Sequence, residues 1–454
     1  VHISWPSEYL VRLAAGLTLI NYWDSLRLQV LRAPFLFGWG MPAEIRFQKE
    51  LAIREKVLGP EHPETLAILS ELAVLLFTNG RYADAEPLLL RVLAIREKTL
   101  GPDHPDTLTT INNLSVLFAS KAQYEDATPL LLRVLKSREK NLGSDHPETA
   151  TAISNLAMLY RLLGRYDEAA PLLLRALSIT EKALGSEHPD TLLILSNLSL
   201  LFNSQGKSAE AEPPLLRVLA SRTKVNGPDH LDTARTENNL AVLYVNQGRY
   251  AEAEPLLLHA LSVLSRSLGS SHPDVAATLN CLANVYENQG RLSEAEPLLS
   301  RAVAICTDVF GKNHPDTAVT MSNLAVLYRS QGRTSEAESL FRQALAINEM
   351  TLGPDHSVTA NSLSNLAQLL QAAHGHLEAE SLWRRALVIR EKIFGPHHEL
   401  TTTIRANLDE ARKARGCAST DEKFTIHTDD SYSVAYDSHE SVSNDAIPGS
   451  RTLH

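Results

Sequence analysis

The chain has 454 residues, with 43 basic against 53 acidic side chains and a net charge of −10. That balance argues against general nucleic-acid binding, which needs a basic footprint. Its three cysteines, Cys281, Cys306 and Cys417, are too dispersed for a disulfide framework or a C-x-x-C motif, so a reducing, cytoplasmic setting is expected.

Residues 1–37 carry no readable pattern, and the chain opens on Val1, so an upstream portion is one expectation. The apolar stretch Leu10 to Ile20 is interrupted by Arg12. It is too short to span a bilayer and lacks the basic flank and cleavage pattern of a leader. Membrane association is therefore not expected. Gly38, Gly40 and Ala43 match G-x-G-x-x-A, but no strand-helix-strand unit frames them, so a nucleotide loop is not favoured. Gly38 aligns with Gly80 and Ala43 with Ala85 at a spacing of 42 residues, which favours a hairpin turn.

From there one text repeats every 42 residues. The connector glycine falls at Gly59, Gly101, Gly143, Gly185, Gly227, Gly269, Gly311, Gly353 and Gly395, with a histidine three residues after each. A fixed period of this length predicts a solenoid. Each unit reads as two helices. In the unit starting at Asp232, Leu240, Ala241, Leu243 and Tyr244 give helical spacing. Gln247-Gly248-Arg249 is the turn, where glycine accepts a left-handed conformation. The second helix runs from about Tyr250 to Ser267, with Pro255 in or just after its first turn. His272-Pro273-Asp274 then opens the next unit.

Small residues recur where two helices must touch. Ala253 has counterparts at Ala85, Ala127, Ala169, Ala211, Ala295, Ala337 and Ala379, and Ala241 has Ala or Ser at every equivalent position. Tyr244 has only Leu, Phe or Tyr. In chain order the reading is a lone second helix over residues 43–58, eight full hairpins, and a lone first helix over residues 399–415. Arg405, where other repeats are apolar, suits an end cap. Repeat two carries Ala122 at its turn, repeat eight carries His374-Gly375-His376, and the Asn226–Leu231 connector lacks its usual Leu and Pro. Local loosening is expected at each. Residues 416–454, rich in Ser, Thr and Asp, read as a disordered acidic tail, and residues 1–42 as a degenerate or truncated segment. The intervening residues 43–415 form the array.

Leu240-Ala241, Tyr244, Gly248, Ala253, Leu257 and Ala260 resemble the signature of the tetratricopeptide repeat. The 42-residue spacing with LGPDHP-type connectors is similar to the kinesin light chain and nephrocystin-like subtype. The resemblance implies an all-α, right-handed superhelical solenoid of antiparallel hairpins, about eight full repeats with a half-repeat at each end. It also implies that first helices line a concave groove. The position before the Leu-Ala pair holds Asn113, Asn155, Asn197, Asn239, Asn323 and Asn365, and neighbouring positions hold Asn112, Asn238, Asn280 and Asn284. Each amide offers two donors and an acceptor oxygen, so such a ladder can bond the backbone of an extended peptide. Arg161, Arg235 and Arg329 are placed to meet acidic side chains. The competing reading is that these amides only join neighbouring helices.

Metal binding by the histidine series is not expected, because whole hairpins separate its members by ~10 Å while a metal needs ligands at about 2 Å. No catalytic motif of the phosphate-loop, zinc-protease or serine-hydrolase kind is present, and the regularly placed Glu252, Glu254 and Asp229 read as helix-dipole complement or solvated surface. The expectation is a non-catalytic scaffold for protein or peptide ligands, without cofactor, metal or nucleic acid. A cargo adaptor of the kinesin light chain kind is the narrower form. Arrays like this also resemble the sensor regions of multidomain signalling ATPases, which is the alternative. A purely structural array is a third.

Overall fold

The computed structural model describes residues 43–417 apart from Ala122 and His374. The segment 1–42 with its glycine pattern, and the tail from residue 418, lie outside the described residues. Those described form helices joined by short turns. A single second-type helix, α1 (Ala43–Val57), is followed by eight hairpins. These are α2 (Pro63–Thr78) with α3 (Tyr82–Thr99), α4 (Pro105–Ser120) with α5 (Tyr124–Leu142), α6 (Pro147–Leu162) with α7 (Tyr166–Leu184), and α8 (Pro189–Ser204) with α9 (Ser208–Asn226). Then come α10 (Leu231–Asn246) with α11 (Tyr250–Leu268), α12 (Pro273–Asn288) with α13 (Leu292–Phe310), α14 (Pro315–Ser330) with α15 (Thr334–Thr351), and α16 (Ser357–Ala372) with α17 (His376–Phe394). α18 (Glu399–Cys417) packs on α17. The fold is an all-α repeat solenoid.

The described chain falls into two compact units, residues 43–161 with 165–197, and chiefly residues 198–417. Within each, a first helix packs against its own second helix and against the second helix before it, as α4 does on α5 and α3, and α12 on α13 and α11. In the second unit α12 also touches the first helices on either side, α10 and α14.

The hairpins close on alanine. All eight residues of the Ala253 column are fully buried. Ser199, standing where most repeats have alanine, donates its Oγ hydrogen to the carbonyl of Ala211 at 2.7 Å. That bond places the two small-residue columns face to face at the closest approach of the helices. Leu257, Ala260 and Val263 on α11 and Val275, Ala276 and Leu279 on α12 are likewise buried, so each hairpin completes its core only by packing against the next.

The connectors are built by three polar groups. Gly227 adopts φ 91° and Gly269 φ 90°, a region that residues with a Cβ rarely enter. The histidine three residues on is the N-cap. In His230 the Nδ1 accepts from the Asp232 backbone N–H at 3.2 Å, and His62, His104, His146, His188, His272 and His314 repeat the bond. A threonine in the next turn donates to the connector glycine's carbonyl, as Thr233 does to Gly227 at 2.8 Å. The loosening expected at Asn226–Leu231 is therefore not seen: Gly227 and His230 set the connector geometry, and neither the missing Leu nor the missing Pro takes part in it. At the repeat-eight turn α17 begins at His376, in register with Tyr250 of α11.

Replacing Ala253 with Leu puts a branched side chain into this contact. The expected cost is roughly 1–3 kcal/mol, read from urea unfolding followed by circular dichroism, whereas Ala251→Leu at the exposed neighbour on the same helix changes stability by less than about 0.5 kcal/mol.

Candidate peptide-binding face and the ties between repeats

Two sets of polar groups join one repeat to the next. The first lies at the hairpin turns. Arg249 Nη1 sits 2.7 Å from Glu212 of the preceding repeat, and its Nη2 sits 2.7 Å from Glu252 of its own. The guanidinium lies 3.9 Å over the Tyr244 ring, and Gln247 accepts from Nη1 at 2.7 Å. Arg291 with Glu254, Glu294 and Tyr286, and Arg333 with Glu296, Glu336 and Tyr328, repeat the arrangement. Hydrogen bonding to Glu252 first, then Glu212, holds the Arg249 guanidinium above its ordinary value, so it stays charged throughout. Glu252 and Glu254 are thus ion-pair partners in the structure, not merely solvated carboxylates, and Asp229 likewise meets Arg266 at 3.5 Å. The fixed Y-x-x-Q-G-R spacing carried the signal for this network.

The second set lies between first helices. Asn155 donates from Nδ2 to Asn112 Oδ1 at 3.0 Å, and Asn197 donates to Ser154 at 3.1 Å. Asn323 donates to Asn280 Oδ1 at 3.0 Å, while Asn280 donates its own Nδ2 to the Ala276 carbonyl at 2.9 Å. These amides are buried and stitch one first helix to the one before it. Asn113, Asn239 and Asn365 are half-buried. Arg161 and Arg235 are buried, and Arg329 is half-buried. Arg235 is paired with the buried Asp274 of the next repeat at 2.7 Å, and Arg329 donates to Gln368 at 2.5 Å. Sequence spacing had put Arg235 and Arg329 on the ligand side; their described partners are other first helices.

Some first-helix amides have a polar atom with no hydrogen-bond partner, Asn197 Oδ1 of the stitching set among them. Asn238 is fully buried, and neither its Nδ2 nor its Oδ1 is bonded. Asn239 Oδ1 on the same helix and Asn284 Nδ2 on α12 are also buried and unbonded. Leaving a buried polar group unpaired costs about 1–3 kcal/mol; Asn348 Oδ1 and Asn361 Nδ2 share the condition. Asn238 and Asn284 have no exposed surface, so these groups face the helix–helix contacts; Asn239 is half-buried. Asn284 is distinctive because equivalent positions in the preceding repeats hold Val242, Leu200, Met158, Val116 and Val74.

Chemistry beyond binding finds no constellation here. Among the described residues no group of three His, Cys, Asp or Glu is placed to hold a metal. Cys281 and Cys306 are buried free thiols, and burial pushes the Cys306 thiol up to about 12, which keeps it protonated and unreactive. No helix among the described residues is long and apolar enough to cross a membrane.

A family model described as tetratricopeptide repeat matches residues 43–98, 65–140, 119–182, 148–224 and 274–350, and a second model of the same description matches 233–274 and 359–399. The chain belongs to the tetratricopeptide repeat family. Among solved structures, it is 31% identical to a Podosopora anserina putative kinesin light chain with nearly identical TPR-like repeats, over 45% of this chain and 98% of that one, with a TM-score of 0.38. It is 24% identical to BtubC (BKLC) from P. vanneervenii over 52% and 91% of the two chains, with a TM-score of 0.40. A Rap protein complexed with competence and sporulation factor is 14% identical over 77% and 98%, with a TM-score of 0.46. No curated protein matches the chain.

In this tetratricopeptide repeat array, Asn323→Leu removes the bond to Asn280 and leaves the buried Asn280 oxygen unpaired. The expected loss is roughly 1–3 kcal/mol in chemical denaturation. Asn323→Leu combined with Asn280→Leu recovers part of it, because both partners then leave together.

Proposed function

We propose that the chain is a non-catalytic interaction scaffold that binds an extended peptide segment along the first helices of its repeats. The observation that carries this reading is the partial exposure of the first-helix amides Asn239 on α10 and Asn365 on α16. An extended peptide presents carbonyls and N–H groups in alternation, so one backbone can satisfy both the donors and the acceptors of this set. The stitching amides Asn155, Asn197 and Asn323 hold the first helices in place beside one another, a positioning role.

The tetratricopeptide repeat family supports a protein-binding role in general. The narrower role of a kinesin light chain-like cargo adaptor rests on the 42-residue spacing and the LGPDHP-type connectors, and binding to a kinesin heavy chain segment is its direct test. A cytoplasmic setting goes with either role.

Replacing Asn239 and Asn365 together with Leu separates binding from folding. Both side chains are half-buried, so the melting temperature changes little. Linear peptides selected from a display library on the wild-type chain bind the double variant at least about tenfold more weakly, as two lost backbone hydrogen bonds require. Selected peptides that bind both proteins equally by calorimetry contradict the reading.

A further inference from the structure

Repeat five departs from its neighbours at positions that touch one another. Glu237 on α10 stands where the flanking repeats carry Leu195 and Leu279, and where every other full hairpin has Leu, Ile or Met. His259 on α11 stands in a column of arginines whose other exceptions are Lys49 on the lone α1 and Gln343. Where the preceding second helix carries a glutamate, these arginines reach back to it, as Arg91 does to Glu55 at 2.7 Å and Arg385 to Glu349 at 2.5 Å. In repeat five that glutamate is replaced by Thr223, and His259 turns elsewhere. Its Nδ1 lies 2.6 Å from Glu237 Oε2, and its Nε2 lies 3.3 Å from Asp229 Oδ1.

Both ring nitrogens therefore face carboxylate oxygens. A neutral imidazole carries a single N–H and can donate to only one of them. The two contacts are both hydrogen bonds only when the cluster holds one further proton, as an imidazolium or a carboxylic acid. Without it, a lone pair faces a carboxylate, and Glu237, only 12% exposed, sits where other repeats place hydrocarbon. The hydrogen bond to Glu237 first, with Asp229 adding to it, holds the His259 imidazole above its ordinary value, and burial raises the Glu237 carboxyl.

The surrounding charges are accounted for. Arg266 on α11 lies 3.5 Å from Asp229. On α9, Arg222 donates to the Asp232 carbonyl and Thr236 Oγ1. Arg235 on α10 is paired with Asp274 on α12.

We propose that His259, Glu237 and Asp229 form a proton-dependent tie that holds the Leu231–Leu268 hairpin closed and releases it as pH rises. The sign follows from linkage. A group whose proton affinity is raised by folding contributes stability that is complete below its unfolded value, about 6.5 for histidine, and that fades as pH rises through the higher folded value.

Hydrogen exchange on the full chain, corrected for the intrinsic pH dependence, tests this. In the wild type, opening of α10 and α11 rises up to about tenfold per pH unit above pH ~6.5, the slope of one proton, while the Pro315–Thr351 hairpin shows no such rise. Glu237→Gln supplies an amide N–H to Nδ1, leaves Nε2–H for Asp229, and so flattens the slope. Should that variant fold poorly, Glu237→Leu with His259→Arg restores the residues of the neighbouring repeats and flattens it as well. A wild-type slope that either folded variant retains, or that the Pro315–Thr351 hairpin shares, overturns the proposal. The imidazole nitrogen shifts of His259 give an independent reading: a titration midpoint above that of a free histidine is expected, and one at or below it overturns the proposal.

Discussion

Everything in this molecule depends on how closely the two helices of a hairpin approach. That approach is set by a column of fully buried alanines facing a second column of alanine or serine. With no side chain beyond Cβ at the crossing, the large residue three positions on, Tyr244 in repeat five, can fold over the contact. Arg249 then stacks on that tyrosine and reaches Glu212 in the repeat before. Packing inside one hairpin thus positions the charged tie between hairpins. Each exposed pair is worth only ~0–1 kcal/mol; the repetition in register is what aligns the stack.

The two ends of each hairpin perform different tasks. At the connectors, glycine, histidine and threonine satisfy the backbone groups that an abrupt helix start leaves open, and they do so with the same geometry even where Leu and Pro are missing. At the turns, arginine and glutamate link neighbours. Between them, the first helices carry amides of two kinds. Those in hydrogen bonds between repeats are structural. The half-buried ones, Asn239 and Asn365, are those proposed to meet a ligand. A repeat protein can separate these roles because each unit offers the same positions again, so a polar group can be introduced in one repeat while its neighbours maintain the fold.

The architecture was legible in the sequence because its determinants are local and periodic: connector glycine, small-residue columns and turn glycine all recur at one spacing. The amide ladder was visible too, but its division was not. Asn155 and Asn239 occupy the same column, yet Asn155 donates to Asn112 and the Asn239 oxygen has no partner, a difference decided by side-chain geometry across a helix–helix contact. Likewise, Arg235 and Asp274 lie 39 residues apart, and only the stacking of repeats brings them together. The histidines were legible as helix-entry residues, but not their Nδ1 capping bond, because imidazole is not among the usual N-cap side chains.

The central claim is that ligands meet the first-helix face and not the outer face. The direct measurement is site-specific photo-crosslinking in the full chain, with a photoreactive side chain at the half-buried Asn246 on α10 or at the exposed Leu258 on α11. Peptides selected on the wild type should crosslink from position 246 and not from 258, and the adduct should vanish when Asn239 and Asn365 are both replaced by Leu. Efficient crosslinking from 258, or adducts at 246 that survive loss of both amides, would contradict the account.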